Sequence, residues 1–203
     1  MKTRRVPIVV ATTNAGKARE IAAALSGLPV RILSPADLGI AVEYPETGAT
    51  FAQNARGKAV FYSSRSEHWT LAEDSGLVVD ALNGAPGVYS ARFAGPDATD
   101  EGNNRKLLGL LRDVPESGRG ARFVCCMVLA RRGKVAKRVT GRVRGRILSC
   151  GRGALGFGYD PLFFYRRLGR TFGELEPRIK NGISHRGRAL AKMSLALAGL
   201  LEK

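Results

Sequence analysis

The chain has 203 residues, 44% of them hydrophobic, and a formal net charge of +16 from 33 Lys and Arg set against 17 Asp and Glu. A chain of that length buries roughly 70% of the surface it exposes when unfolded, so a single domain can stand without disulfide or metal staples. No apolar run reaches the roughly 20 residues of a membrane-spanning helix, and a pI near 10.6 directs attention to anionic partners.

Val6–Ala11 is a β-branched, apolar run and predicts a short buried strand. The residues leading into it are too polar for a secretory signal. Thr12, Thr13 and Asn14 supply turn and capping chemistry for a helix over Ala15–Leu25 that buries Ile21 and Leu25. A second strand is expected at Val30–Leu33. Thr50 and Gln53 have the spacing of a capping box and open a helix over 50–64. Strands are expected over 69–73 and 77–82, parted by a Ser75-Gly76 turn, and 83–95 reads as a loop rich in Gly, aromatics and Arg. A helix over 100–112 carries Leu107, Leu108, Leu110 and Leu111. Residues 122–130 and 135–147 read as a hairpin around Arg131, Arg132, Gly133 and Lys134. In its second strand Val139, Val143 and Ile147 alternate with Arg138, Arg142, Arg144 and Arg146, giving one apolar and one basic face. Ser184 is expected to cap a last helix reaching residue 200. Strands and helices alternate and are then followed by a hairpin and a long strand, which predicts an α/β fold with a mixed sheet. Cys125, Cys126 and Cys150 have neither metal nor redox spacing, so reduced thiols and a cytoplasmic protein are expected.

Five stretches could carry chemistry. In TTNAGK, Lys17 falls in the first turn of a helix, where a cation opposes the macrodipole at a cost of about 0.3–1 kcal/mol. An anion bound at the same helix start would remove that cost; a capped helix with a solvated Lys17 is the equal alternative. In ETGATFAQNARGKA, Asn54 and Lys58 share a helical face, while Glu46 precedes the helix, where a carboxylate can ligate a metal or complement the dipole. In AEDSG, Glu73 and Asp74 are adjacent on extended backbone and so point to opposite faces: one can meet a ligand while the other supports the structure. Hard carboxylate oxygens of this kind suit Mg²⁺. In GFGYDP, Phe157 can stack on a base or simply fill a tight turn. In KNGISHRG, Lys180, His185 and Arg186 gather at a helix start, a poor place for cations unless an anion or carbonyl oxygen receives them. The face of Arg138, Arg142, Arg144 and Arg146 could bind nucleic acid through phosphates, but it is read here as a solvated strand face.

Taken in order, ATTNAGKARE, ETGATFAQNARGKA, AEDSGLVVDALNGAPGVYSARFAG, DATDEGNNRKLL, GFGYDP and KNGISHRGRAL resemble the inosine triphosphate pyrophosphatase family. These runs span nearly the whole chain, and 73–95 is the most specific of them. The resemblance implies an elongated, two-lobed α/β fold with a central mixed sheet flanked by helices and an active-site cleft between the lobes, usually in a homodimer. It implies Mg²⁺-dependent hydrolysis of ITP, dITP or XTP to the nucleoside monophosphate and pyrophosphate. Carried over by position, Thr12, Thr13, Asn14, Ala15, Gly16 and Lys17 would bind phosphates, with Lys58 stabilising the leaving pyrophosphate. Asp74 would be the proton acceptor and a metal ligand, Glu46 a second metal ligand, and Ser75 a substrate contact. Phe157, Gly158, Tyr159 and Asp160 would line the base and sugar pocket, completed by Lys180, His185 and Arg186. Many relatives have two Asp where this chain has Glu73-Asp74.

Overall fold

A computed structural model describes residues 5–201. In chain order the elements are β1 (Val6–Ala11), α1 (Ala15–Leu25), β2 (Val30–Leu33), α2 (Phe51–Ser63), β3 (Trp69–Val79), α3 (Asp100–Leu110), β4 (Gly120–Arg131), β5 (Lys134–Ile147), β6 (Phe163–Tyr165), β7 (Arg170–Thr171), α4 (Pro177–Ile183) and α5 (His185–Leu201). The strands form one seven-stranded sheet in the order β2-β1-β3-β4-β5-β6-β7. The β1 strand runs parallel to β2 and β3, whereas β5–β6 and β6–β7 are antiparallel, so the sheet is mixed as expected. Between β4 and β5 the chain turns through Arg132 and Gly133 at φ 50° and 73°, the left-handed pair that a two-residue hairpin demands.

The polypeptide divides into two compact units. Among the described residues the first comprises 5–74, 125–141 and 186–201, the second 75–124 and 142–185. In the first unit, alternate residues of the strands feed two separate cores. Ile8, Val10, Leu71, Met127 and Leu129 pack with Ile21 and Leu25 of α1 and with Met193 and Leu197 of α5. Their strand neighbours Ala11, Ala72, Cys126 and Val128 pack instead with Ala55, Ala59 and Tyr62 of α2. The second unit has one core, in which Leu77, Val79, Phe123, Val143 and Ile147 meet Leu107, Leu111, Phe163 and Phe172.

Local chemistry explains the helix starts. Asn14 Oδ1 accepts from the Lys17 N–H at 2.9 Å, and Thr50 and Gln53 form the reciprocal capping box, each cap supplying about 1 kcal/mol. On β5, Val139, Val143 and Ile147 are buried while Arg138, Arg142 and Arg144 are exposed.

Three expectations are corrected. The two strands placed at 69–73 and 77–82 are one strand, β3, and a short 3₁₀ turn takes up 80–82. Gly76 is no turn residue: a Cβ there would lie 2.3 Å from Ser90 Oγ and 2.6 Å from the Gly87 carbonyl oxygen, so the glycine serves a close approach inside a continuing strand. Lys180 lies within α4, a helix not among the expected elements, and only His185 and Arg186 open α5. Pro177 at the first turn of α4 was the available signal.

Candidate active site

The extended backbone of β3 sends Glu73 and Asp74 to opposite faces, and the two acids have different surroundings. Glu73 is 1% exposed. It accepts from Arg186 Nε at 2.9 and 3.1 Å, from Arg186 Nη2 at 3.0 Å and from the Cys125 thiol at 3.2 Å, with Lys17 Nζ at 3.4 Å. Burial by itself would raise its pKa, but the Arg186 and Lys17 charges overcome that and hold the carboxyl well below its ordinary range. Burial pushes the Cys125 thiol well up, and the neighbouring carboxylate adds to this, so Cys125 stays a protonated donor. Arg186 in turn donates from Nη1 to Glu20 Oε2 at 2.6 Å.

Asp74 belongs to the other face. It is 4% exposed and its Oδ2 accepts from Asn54 Nδ2 at 2.9 Å. Burial raises its pKa, and the Glu46 charge raises it further, against opposing contributions from Asn54, Lys17 and Lys58. Glu46, half-buried ahead of α2, pairs with Lys58, whose ammonium also donates to the Glu73 carbonyl oxygen at 3.2 Å. Thr12, Thr13 and Asn14 link β1 to α1, whose first turn is Ala15, Gly16 and Lys17, and the Asn14 N–H donates to Thr12 Oγ1 at 3.3 Å. The first unit therefore brings together Lys17, Glu46, Lys58, Asp74 and the start of α1. Ser75 follows on β3, half-buried.

In the second unit a different group assembles. Asp160, 2% exposed, accepts at Oδ2 from the Phe157 N–H at 3.0 Å and from Lys180 Nζ at 2.5 Å. The Lys180 ammonium lies 4.6 Å from the centre of the half-buried Phe157 ring, a cation–π contact. Tyr159 donates its hydroxyl to the Ser90 carbonyl oxygen at 2.9 Å. Gly158 is held from both sides, its N–H donating to Asp100 Oδ2 at 2.6 Å and its carbonyl accepting from Asn104 Nδ2 at 3.0 Å. His185 stacks on Phe123 with ring centres 4.6 Å apart and 12° between planes.

Arg186, which the resemblance assigns to the substrate pocket, is 2% exposed, and its Nε, Nη1 and Nη2 all donate to carboxylates. Sequence reasoning also missed the contacts of Asp100, Asn104, Cys125 and Glu20. Only Glu20 had a spacing signal, lying one helical turn after Lys17.

Asp74 and Glu46 can be tested as ligands for a hard dication. Their charges repel across a partly buried space, both are oxygen donors, and no group of three or more His, Cys, Asp or Glu suited to a metal occurs among the described residues. That set fits Mg²⁺, which takes one or two carboxylates together with substrate phosphates, and does not fit a zinc site.

A family model described as the Ham1 family matches residues 8–196. The chain belongs to the Ham1 family. It is 51% identical over 184 residues to the dITP/XTP pyrophosphatase of Geobacter sulfurreducens, covering 91% of this chain and 92% of that relative. With the dITP/XTP pyrophosphatase of Exiguobacterium sibiricum it shares 47% identity, covering 96% and 98%. Among solved structures, a HAM1 protein from Coxiella burnetii superposes with a TM-score of 0.88 at 38% identity, covering 96% of this chain and 99% of that one. A nucleoside-triphosphatase / dITP/XTP pyrophosphatase from Mycobacterium abscessus gives 0.75 at 43% identity, covering 93% and 97%. The resemblance carried by the motif runs is thus borne out at family level. No helix among the described residues of this Ham1-family chain is long and apolar enough to cross a membrane.

Proposed function

We propose that the protein hydrolyses non-standard purine nucleoside triphosphates, ITP, dITP and XTP, to the nucleoside monophosphate and pyrophosphate in a Mg²⁺-dependent reaction. The observation that carries this reading is the environment of Asp74: a buried carboxylate with a raised pKa, beside a second acid and within electrostatic reach of Lys17 and Lys58. The names of the relatives point the same way.

Mg²⁺ held by Asp74 and Glu46 would neutralise triphosphate charge and polarise the α-phosphorus. Asp74 accepts the proton of the attacking water. The Ala15 and Gly16 N–H groups, ahead of the capped Lys17 N–H, and the Lys17 ammonium receive phosphate oxygens at the start of α1. Lys58 stabilises charge on the departing pyrophosphate. The 157–160 loop, Lys180 and His185 are assigned to base and sugar, with the Phe157 ring as the stacking surface. Arg186 acts as the counter-ion of Glu73 and, with His185, is assigned as a side-chain donor toward the purine 6-oxo group. A 6-amino group facing that donor leaves a buried polar group unpaired, costing about 1–3 kcal/mol, or roughly 5- to 150-fold in kcat/KM. The protein is proposed to act in the cytoplasm as a homodimer, as the resemblance implies.

The test is pyrophosphate release from ITP, XTP, dITP and ATP with and without Mg²⁺, in wild type and Asp74→Asn. The 6-oxo substrates should be strongly preferred, and Asp74→Asn should be folded and inactive. Equal rates on ATP would remove the specificity, and an active Asp74→Asn would remove Asp74 from its role.

A further inference from the structure

Asn54 is fully buried on α2, and a buried amide is tolerated only when both ends are bonded. Its Oδ1 accepts from the Gly48 N–H at 2.7 Å, and its Nδ2 donates to Asp74 Oδ2 at 2.9 Å. The orientation of the amide is dictated by its partners: a backbone N–H can only donate, so the oxygen faces Gly48 and the NH₂ faces the carboxylate. One side chain thereby ties β3 at Asp74 to the segment that carries Glu46. Four residues later on the same helix, Lys58 pairs with Glu46 and donates to the Glu73 carbonyl oxygen.

Gly48 supplies an independent observation. Its backbone does not have positive φ, yet a Cβ there would sit 2.6 Å from Asn54 Oδ1 and 2.8 Å from Gln53 Cβ. The glycine is required by space: any side chain at 48 pushes on the amide that holds Asp74.

We propose that Asn54, seated against Gly48, is a positioning residue that fixes Asp74 and Glu46 in one frame as the carboxylate pair for a hard dication. The inference rests on the proposed role of Asp74 and Glu46 as metal ligands. Groups that orient metal ligands without touching the ion typically change affinity by about 10- to 100-fold when removed. Asn54 bonds Asp74 Oδ2 directly at 2.9 Å, so an effect of that order is expected from its loss.

The experiment uses Mn²⁺ as a paramagnetic probe, its binding to the nucleotide-free protein followed by EPR, on wild type, Asn54→Ala, Gly48→Ala and Asp74→Asn. The Mg²⁺ concentration giving half-maximal pyrophosphate release is measured alongside, with thermal denaturation to establish folding. Asn54→Ala and Gly48→Ala should each weaken Mn²⁺ binding about 10-fold and raise the Mg²⁺ half-saturation in step, while the ITP-to-ATP preference moves less than about twofold. A purely structural role would lower the melting temperature without moving either metal reading. Gly48→Ala removes no polar group and carries the test if Asn54→Ala fails to fold. If Asp74→Asn loses the probe while both other variants bind it like wild type, the inference falls alone. If Asp74→Asn also binds like wild type, the metal assignment and the inference fall together.

Discussion

Glu73→Gln is the substitution with the clearest consequence for stability. The amide keeps the shape of the side chain but removes its charge, leaving the Arg186 guanidinium, 2% exposed, to the Glu20 carboxylate. It also turns an NH₂ group toward donors that now meet a carboxylate: Arg186 Nε and Nη2, the Cys125 thiol and the Lys17 ammonium. Removing one partner of a buried, hydrogen-bonded ion pair costs about 3–5 kcal/mol. For a chain of this size that is a fall of roughly 6–20 °C in melting temperature. Glu73→Asp keeps the charge but withdraws it by about one C–C bond, ~1.5 Å, and should lose the contacts to Arg186 at a cost of about 1.5–3 kcal/mol.

The assay is denaturant unfolding of wild type and Glu73→Gln across pH. Because the folded carboxyl titrates below its ordinary value of 4.5, the pair's contribution is fully present above that value and is lost as pH falls through the folded pKa. The gap between the two proteins should therefore be constant near neutrality and narrow by about 1.4 kcal/mol per pH unit below that value. Replacing both partners, as Glu73→Gln with Arg186→Met, should cost less than the sum of the single changes, because the buried guanidinium is then not left facing a neutral amide. A Glu73→Gln protein within about 1 kcal/mol of wild type at neutral pH, or a gap insensitive to acid, would refute the reasoning.

Two other substitutions probe the second unit. Gly76→Ala places a Cβ 2.3 Å from Ser90 Oγ inside a continuous strand, and the overpacking should cost about 1–3 kcal/mol in a denaturant titration. Asp160→Asn still accepts from the Phe157 N–H but leaves the Lys180 ammonium, 3% exposed, facing a neutral amide. Steady-state kinetics should then show KM for ITP raised more than kcat is lowered, since the loop assigned to the base is loosened while Asp74 is untouched. An unchanged KM would detach that loop from substrate binding.

Much of this molecule is legible along the chain, because the deciding interactions are local. Hydrophobic periodicity marks β1, α1 and β2 to the residue, and Asn14 and the Thr50–Gln53 pair announce helix starts, since a cap bonds within three residues of itself. Alternation on extended backbone separates Glu73 from Asp74 before any partner is known. What each acid then does is decided by residues far along the chain. Arg186 lies 113 positions from Glu73, and its burial against two carboxylates follows from α5 packing on the first unit's core. No pattern near SHRG could distinguish that clamp from a solvent-facing donor. Gly76 teaches the same lesson: Ser-Gly has the composition of a turn, and only the approach of Ser90 makes it the tight interior of a strand. Sequence names which residue types are present for phosphate, metal and base; tertiary packing assigns the partners, because burial and charge pairing depend on neighbours that arrive from elsewhere in the chain.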